Sequence, residues 1–184
     1  MNETKRGILL LGVVALLIAL RFGAESQGIY EFQPYYALFF CLAFWRGGKW
    51  LAIPAIAYLI SLSMMSGGLA LWMVSPILGF ALIALWGRQF HESASKLSLF
   101  GGSLIGASIF YVQTNIFAFL FDGRYEKSLG GLAQALWTGL PADAVPTWFF
   151  LRNALIATSL FTAVLLIFIK SPEKTQRDEV PAMA

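Results

Sequence analysis

Apolar residues run along this chain in six blocks with polar punctuation between them: Gly7–Phe22, Tyr35–Trp45, Trp50–Met65, Leu69–Trp86, Leu97–Phe121 and Trp148–Ile169. About 20 apolar residues suffice to cross the hydrocarbon core of a bilayer as a helix. The expected fold is therefore all-α: a polytopic bundle of six transmembrane helices forming one domain over residues 1–170, followed by a polar cytoplasmic tail, residues 171–184. Tyr35–Trp45 is too short to cross alone at about 1.5 Å per residue. Either it starts inside the preceding loop, or it is tilted or partly buried. Pro54 falls near the start of the third block, where proline is tolerated. Ser75-Pro76 is expected to kink the fourth, because proline removes a backbone hydrogen bond. Arg46-Gly47-Gly48-Lys49 and Ser66-Gly67-Gly68 read as tight turns.

The longest loop, residues 122–147, separates the last two blocks and has a pattern of its own. Between Lys127 and Leu140 apolar residues recur at three-to-four spacing around Gln134, predicting a short amphipathic helix at the membrane surface. Trp137, within it, and Trp148, at the start of the sixth block, fit an interfacial aromatic belt.

Composition supports the membrane reading: 58% of residues are hydrophobic and 12% charged, against about 25% charged in soluble domains. Lys5-Arg6 leads into the first block with no small-residue cleavage site before Arg21, so that helix is expected to stay. The single cysteine, Cys41, excludes an internal disulfide. The net charge of +3 is expressed in topology: with the N-terminus inside, nine basic residues fall on cytoplasmic segments and four, Arg21, Arg124, Lys127 and Arg152, on outer ones. This asymmetry follows the positive-inside bias and places both termini in the cytoplasm.

Small residues mark two helix faces. Gly102 and Gly106 are expected to bring the fifth helix close to a neighbour, and Ala15 and Ala19 offer a face for bundle packing or for another protein. Chemistry is sparse. One histidine, His91, in a cytoplasmic loop, excludes bis-histidine haem and histidine-based metal sites. No aspartate or glutamate lies within a block, which argues against a proton relay. No nucleophile elbow or phosphate loop is present, so neither an enzyme nor a cofactor is expected.

What remains is polar side chains near the outer face. Gln113 and Asn115 lie about 9–12 Å before the end of the fifth helix, and Arg152 and Asn153 about 6–8 Å into the sixth, at helical rise. These four are expected to converge as a substrate-binding cluster beneath the loop. Arg21, Tyr35, Trp137 and Trp148 complete it. Arg152 needs a partner at that depth, either a loop carboxylate or an anionic ligand.

The runs Tyr111-x-x-Thr114-Asn115, Tyr125-x-Lys127-Ser128-x-x-Gly131, Gln134-Ala135-x-Trp137-Thr138-Gly139 and Pro146-Thr147-Trp148-x-Phe150-Leu151-Arg152-Asn153, with Phe32-x-Pro34-x-x-Ala37-Leu38, carry a resemblance. The chain resembles an uncharacterised bacterial integral-membrane family, similar in architecture to the substrate-binding S-components of energy-coupling-factor (ECF) vitamin transporters. The resemblance implies six helices in the bacterial inner membrane and an outward pocket capped by loops. It also implies Ala15 and Ala19 as the surface that docks a coupling subunit with its ATPases. The chain departs from the family at Ala157-Thr158 and at Ser61-Leu62-Ser63, where members often carry acids. The leading expectation is capture of a small vitamin-like or anionic molecule from the outer face, with transport powered by a partner. The alternative is a non-catalytic accessory subunit of a larger membrane complex, presenting its 16 phenylalanines and six tryptophans to lipid or other subunits.

Overall fold

A computed structural model describes residues 3–46, 50–66, 71–91, 93–143 and 145–168. Among them are seven α-helices and no strand: α1 (Glu3–Ser26), α2 (Tyr35–Arg46), α3 (Ala52–Ser66), α4 (Val74–Gly87), α5 (Lys96–Phe121), α6 (Leu129–Leu136) and α7 (Thr147–Phe168). Six of them match the six apolar blocks to within a few residues, and α6 is the short helix of the long loop. The basic turn after α2, the glycine turn after α3 and the tail beyond residue 170 lie outside the described residues.

Length corrects the expectation of six independent spans. Among the described residues two helices are long and apolar enough to cross a membrane, α5 and, over Thr147–Ile167, α7. At helical rise they reach about 39 and 32 Å, beyond the hydrocarbon thickness of about 30 Å. The apolar helices α2, α3 and α4 have 12, 15 and 14 residues, which gives roughly 18–23 Å each. The fourth block is short for a local reason. Its first turn is a 3-10 turn at Leu71–Met73, and α4 starts at Val74, so Pro76 falls in the first helical turn. There its missing N–H has no intrahelical partner to lose, and the expected mid-helix kink does not arise. Pro54 occupies the same kind of position in α3.

Packing divides the bundle unevenly. α2, α4, α5 and α7 pack on one another around a common core, and α1 packs on α3 at its side. Phe80 of α4 is the centre of the core. Its ring lies 4.5–6.2 Å, centroid to centroid, from Phe39, Tyr58, Phe110, Tyr36 and Tyr35. Close contact geometry and internal hydrogen bonds both join these helices. Two features of α5 supply both. A Cβ on Gly102 would stand 2.8 Å from Phe40 Cζ, and the bare glycine instead admits the Phe40 and Phe90 rings. Trp86 Nε1 donates to the Gly102 carbonyl at 2.9 Å. One residue on, Ser103 Oγ and Thr162 Oγ1 of α7 are hydrogen-bonded at 3.0 Å, both fully buried.

Ser95 caps α5 by accepting from Ser98 N–H at 3.1 Å, and Ser128 caps α6 by accepting from Gly131 N–H at 3.2 Å. Gly131 is required there, because a Cβ would overlap the Glu126 carbonyl. Tyr111 of α5 donates its hydroxyl to the Leu136 carbonyl and ties α6 to the bundle.

Candidate functional site

The ends of α1, α3 and α5 and the beginnings of α2, α4 and α7 meet at one end of the bundle, together with the loop between α1 and α2. An open cavity of about 1040 Å³ lies there, reached by Arg21, Glu31, Tyr58, Ser75, Phe110 and Thr114 and rimmed by Trp72 and Phe121. A smaller one of about 120 Å³ adjoins it and shares Glu31, Phe110 and Thr114.

Arg21 is the cation of this cavity. It is 5% exposed, and its guanidinium carbon lies 4.5 Å from the Tyr58 ring centroid. Nε approaches Glu25 Oε1 at 3.3 Å, outside hydrogen-bond geometry, and buried Nη1 has no hydrogen-bond partner. A buried donor left unmade costs about 1–3 kcal/mol, more when charged, so the fold retains Arg21 at an energetic cost.

Glu31 is the counterpart. It is the one non-glycine among the described residues with positive φ, at 61°, a conformation that costs an ordinary side chain about 1–2 kcal/mol. Its carboxylate is the anchor: Oε2 accepts from Gln33 Nε2 at 2.6 Å and from the Tyr36 hydroxyl, while Gln33 Nε2 also reaches the Tyr36 oxygen at 2.8 Å. Strained residues of this kind concentrate at functional sites.

The polar groups expected to converge are shared among several places. Arg21 is at the cavity, and Tyr35, fully buried, sits beneath it with its ring 5.2 Å from that of Tyr58. Gln113 lies in the α4–α5 seam, its Nε2 3.4 Å from Ser75 Oγ and its Oε1 against Gly79. Asn115 donates to the Tyr111 carbonyl at 2.7 Å and lines the smaller cavity. Asn153 is buried and donates to the Tyr30 carbonyl at 2.9 Å, fastening the α1–α2 loop to α7.

Arg152 departs from the expectation. It is exposed, with its guanidinium carbon 3.9 Å from the Phe149 ring centroid and 5.6 Å from that of Trp148. It donates to Asn153 Oδ1 at 3.2 Å, so it meets neither a loop carboxylate nor the cavity. Trp137, 62% exposed, lies 6.5 Å from Trp148 on the same outer rim. The opposing wall is thus α1, α3 and the start of α4, where α7 was expected. Tyr58, Ser75 and Trp72 were missed because nothing in their local spacing distinguishes them from core or belt residues. Glu31 was seen only as one loop acid among several. Ala15 and Ala19 are exposed on α1.

Where α5 leaves the cavity, Asp122 accepts from the Arg124 guanidinium at 2.6 and 3.0 Å and from its backbone N–H at 2.9 Å. Those bonds, the side-chain ones foremost, hold its carboxyl down at about 2. Lys127 donates to the carbonyls of Phe119 and Asp122 and closes the helix end. Burial pushes the nearby Tyr125 phenol up.

Together these features define an all-helical bundle, with two helices able to cross a membrane and a charged, aromatic-floored cavity at one end. The chain belongs to a family described as a family of unknown function (DUF6580), which matches residues 1–178. No curated protein and no solved structure matches it.

Proposed function

We propose that this is a non-catalytic, multi-pass protein of the bacterial inner membrane, both termini cytoplasmic, that captures a small molecule from the outer face for a partner-powered transporter. In this reading all six helices that match the apolar blocks cross. The short α2 is enclosed by α4, α5 and α7 rather than lipid, and backbone at membrane depth is tolerated where protein surrounds it. The observation that carries the proposal is Arg21: a cation 5% exposed, with an unpartnered buried Nη1, beside a cavity of about 1040 Å³. Buried membrane cations mark functional sites by default, and that volume is at the upper end of small-molecule sites, about 300–1,000 Å³.

Energy would come from an ECF-type coupling subunit docked on α1. The face Gly12, Ala15, Leu16, Ala19, Leu20 and Gly23 repeats at three and four and is exposed throughout. That same face favours the second reading, an accessory subunit that only packs against a larger complex.

The test is thermal stabilisation of the purified protein by a panel of vitamins, in the parent, in Arg21→Gln and in Arg152→Ala. A stabilising compound whose effect disappears in Arg21→Gln and persists in Arg152→Ala is expected. A cooperatively folded parent that responds to no compound leaves the accessory reading in its place.

A further inference from the structure

Resting on the capture reading, we infer that the cavity selects a small zwitterion, with an acidic group on the Arg21 guanidinium and a cationic nitrogen on Glu31 Oε1.

The first half of the argument is hydrogen-bonding capacity. Arg21 Nη1 is buried without a partner, and a guanidinium offers its donors in a fork suited to a carboxylate. Glu31 takes both its hydrogen bonds, from Gln33 and Tyr36, on Oε2. Its other oxygen accepts none, while the residue lines both cavities. Arg21 and Glu31 form no ion pair with each other, so each keeps capacity for a third party.

The second half is charge. Arg21 shares this end of the bundle with two carboxylates, Glu25 and Glu31, so the three side chains sum to a formal charge of minus one. A simple anion would leave three negative charges against one guanidinium. A simple cation would leave Nη1 bare. A zwitterion adds no net charge and satisfies both ends. At the rim, outside this group, Asp122 is paired with Arg124, and Lys127 is held on the carbonyls of Phe119 and Asp122. Phe110, Phe117 and Trp72 give an apolar surface for the body of the molecule.

The experiment measures binding to the full chain in detergent by calorimetry. The probes are two aromatic amino acids of different span, phenylalanine and 4-(aminomethyl)benzoic acid. Each is also offered as its methyl ester (cation only), its N-acetyl acid (anion only) and its N-acetyl methyl ester (neutral). At least one zwitterion is expected to bind roughly tenfold or more tighter than its three derivatives, the worth of one charge-assisted hydrogen bond. Arg21→Gln should reduce it to the level of the ester, and Arg21→Lys should fall between. Glu31→Gln, which retains an acceptor for Tyr36, should reduce it to the level of the N-acetyl acid. Binding by the anion form alone, unchanged in Glu31→Gln, overturns the zwitterion and leaves capture standing. So does silence from every probe on a folded parent that still answers the vitamin panel. Silence from both sets overturns capture as well.

Discussion

The guanidinium carbon of Arg21 stands 4.5 Å from the centroid of the Tyr58 ring, which seats a cation of α1 on the aromatic face of α3. α1 packs on α3, so this contact bears on whether that helix stays in place. Tyr58→Phe retains the ring and removes only the hydroxyl, so it should cost no more than about 1 kcal/mol. Tyr58→Leu also loses the cation–π term, up to about 2 kcal/mol when desolvated. Unfolding titrations in mixed micelles should rank parent, phenylalanine and leucine in that order. Equal stability of the two variants would remove the ring from the account.

Glu31 combines backbone strain with side-chain anchoring, and the two separate by substitution. Glu31→Ala keeps φ at 61° and loses both hydrogen bonds. Glu31→Gly loses the same bonds and relieves the strain, so it should be the more stable of the pair by about 1 kcal/mol. The same titrations decide it, and alanine at or above glycine would mean that the loop relaxes out of the left-handed region.

The two small residues of α5 should respond oppositely. Gly102→Ala drives a methyl group into Phe90 and Phe40 and should cost about 1–3 kcal/mol as overpacking. Gly106→Ala places its methyl 3.5 Å from Ile83 Cγ2, ordinary contact, and should be neutral or gain up to about 1 kcal/mol of helix propensity. Paired thermal melts check both.

Asp122 gives the cavity rim a defined acid dependence. Its folded carboxyl titrates at about 2, lowered first by the Arg124 side-chain hydrogen bonds, against roughly 3.9 in an unfolded chain. The folded value is depressed, so the contribution is complete above the unfolded value and fades as pH falls toward the folded one. The protection factor of the Arg124 amide, which is its exchange rate relative to the intrinsic rate at the same pH, should therefore be flat down to about pH 4 and fall below it. Asp122→Asn should abolish the dependence. A break above pH 5 would assign it to another group.

Helix boundaries were readable because apolar blocks are local signals: Lys96–Phe121 was expected from Leu97, and Thr147–Phe168 from Trp148. The site was only partly readable. Depth along a helix can be counted, but direction around it must be inferred, and Arg152 and Asn153 differ by about 100°. A usable signal was present in α7. Asn153, Ala157, Thr158 and Thr162 are small or polar at three-to-four spacing, and they form the buried face. Arg152 falls off that stripe, on the side of exposed Ile156 and Leu160. The pairing of Arg21 with Tyr58 and the anchoring of Glu31 by Tyr36 rest on tertiary neighbours and on a left-handed φ, which no block pattern encodes. The length of α4 was misjudged because Leu69–Trp86 reads as one hydrophobic run, and nothing in hydropathy separates a 3-10 turn from the helix it leads into.

Asn153 reaches back 123 positions to the Tyr30 carbonyl, which bears on biogenesis. The loop that holds Glu31 emerges early in synthesis, yet its tether arrives with the final helix, and so distant a closure is late and entropically costly. A nascent chain halted before that helix already holds Glu31 on Gln33 and Tyr36 but lacks the bond that fastens Tyr30 to α7. The tether between this loop and α7 is therefore completed only with the last helix.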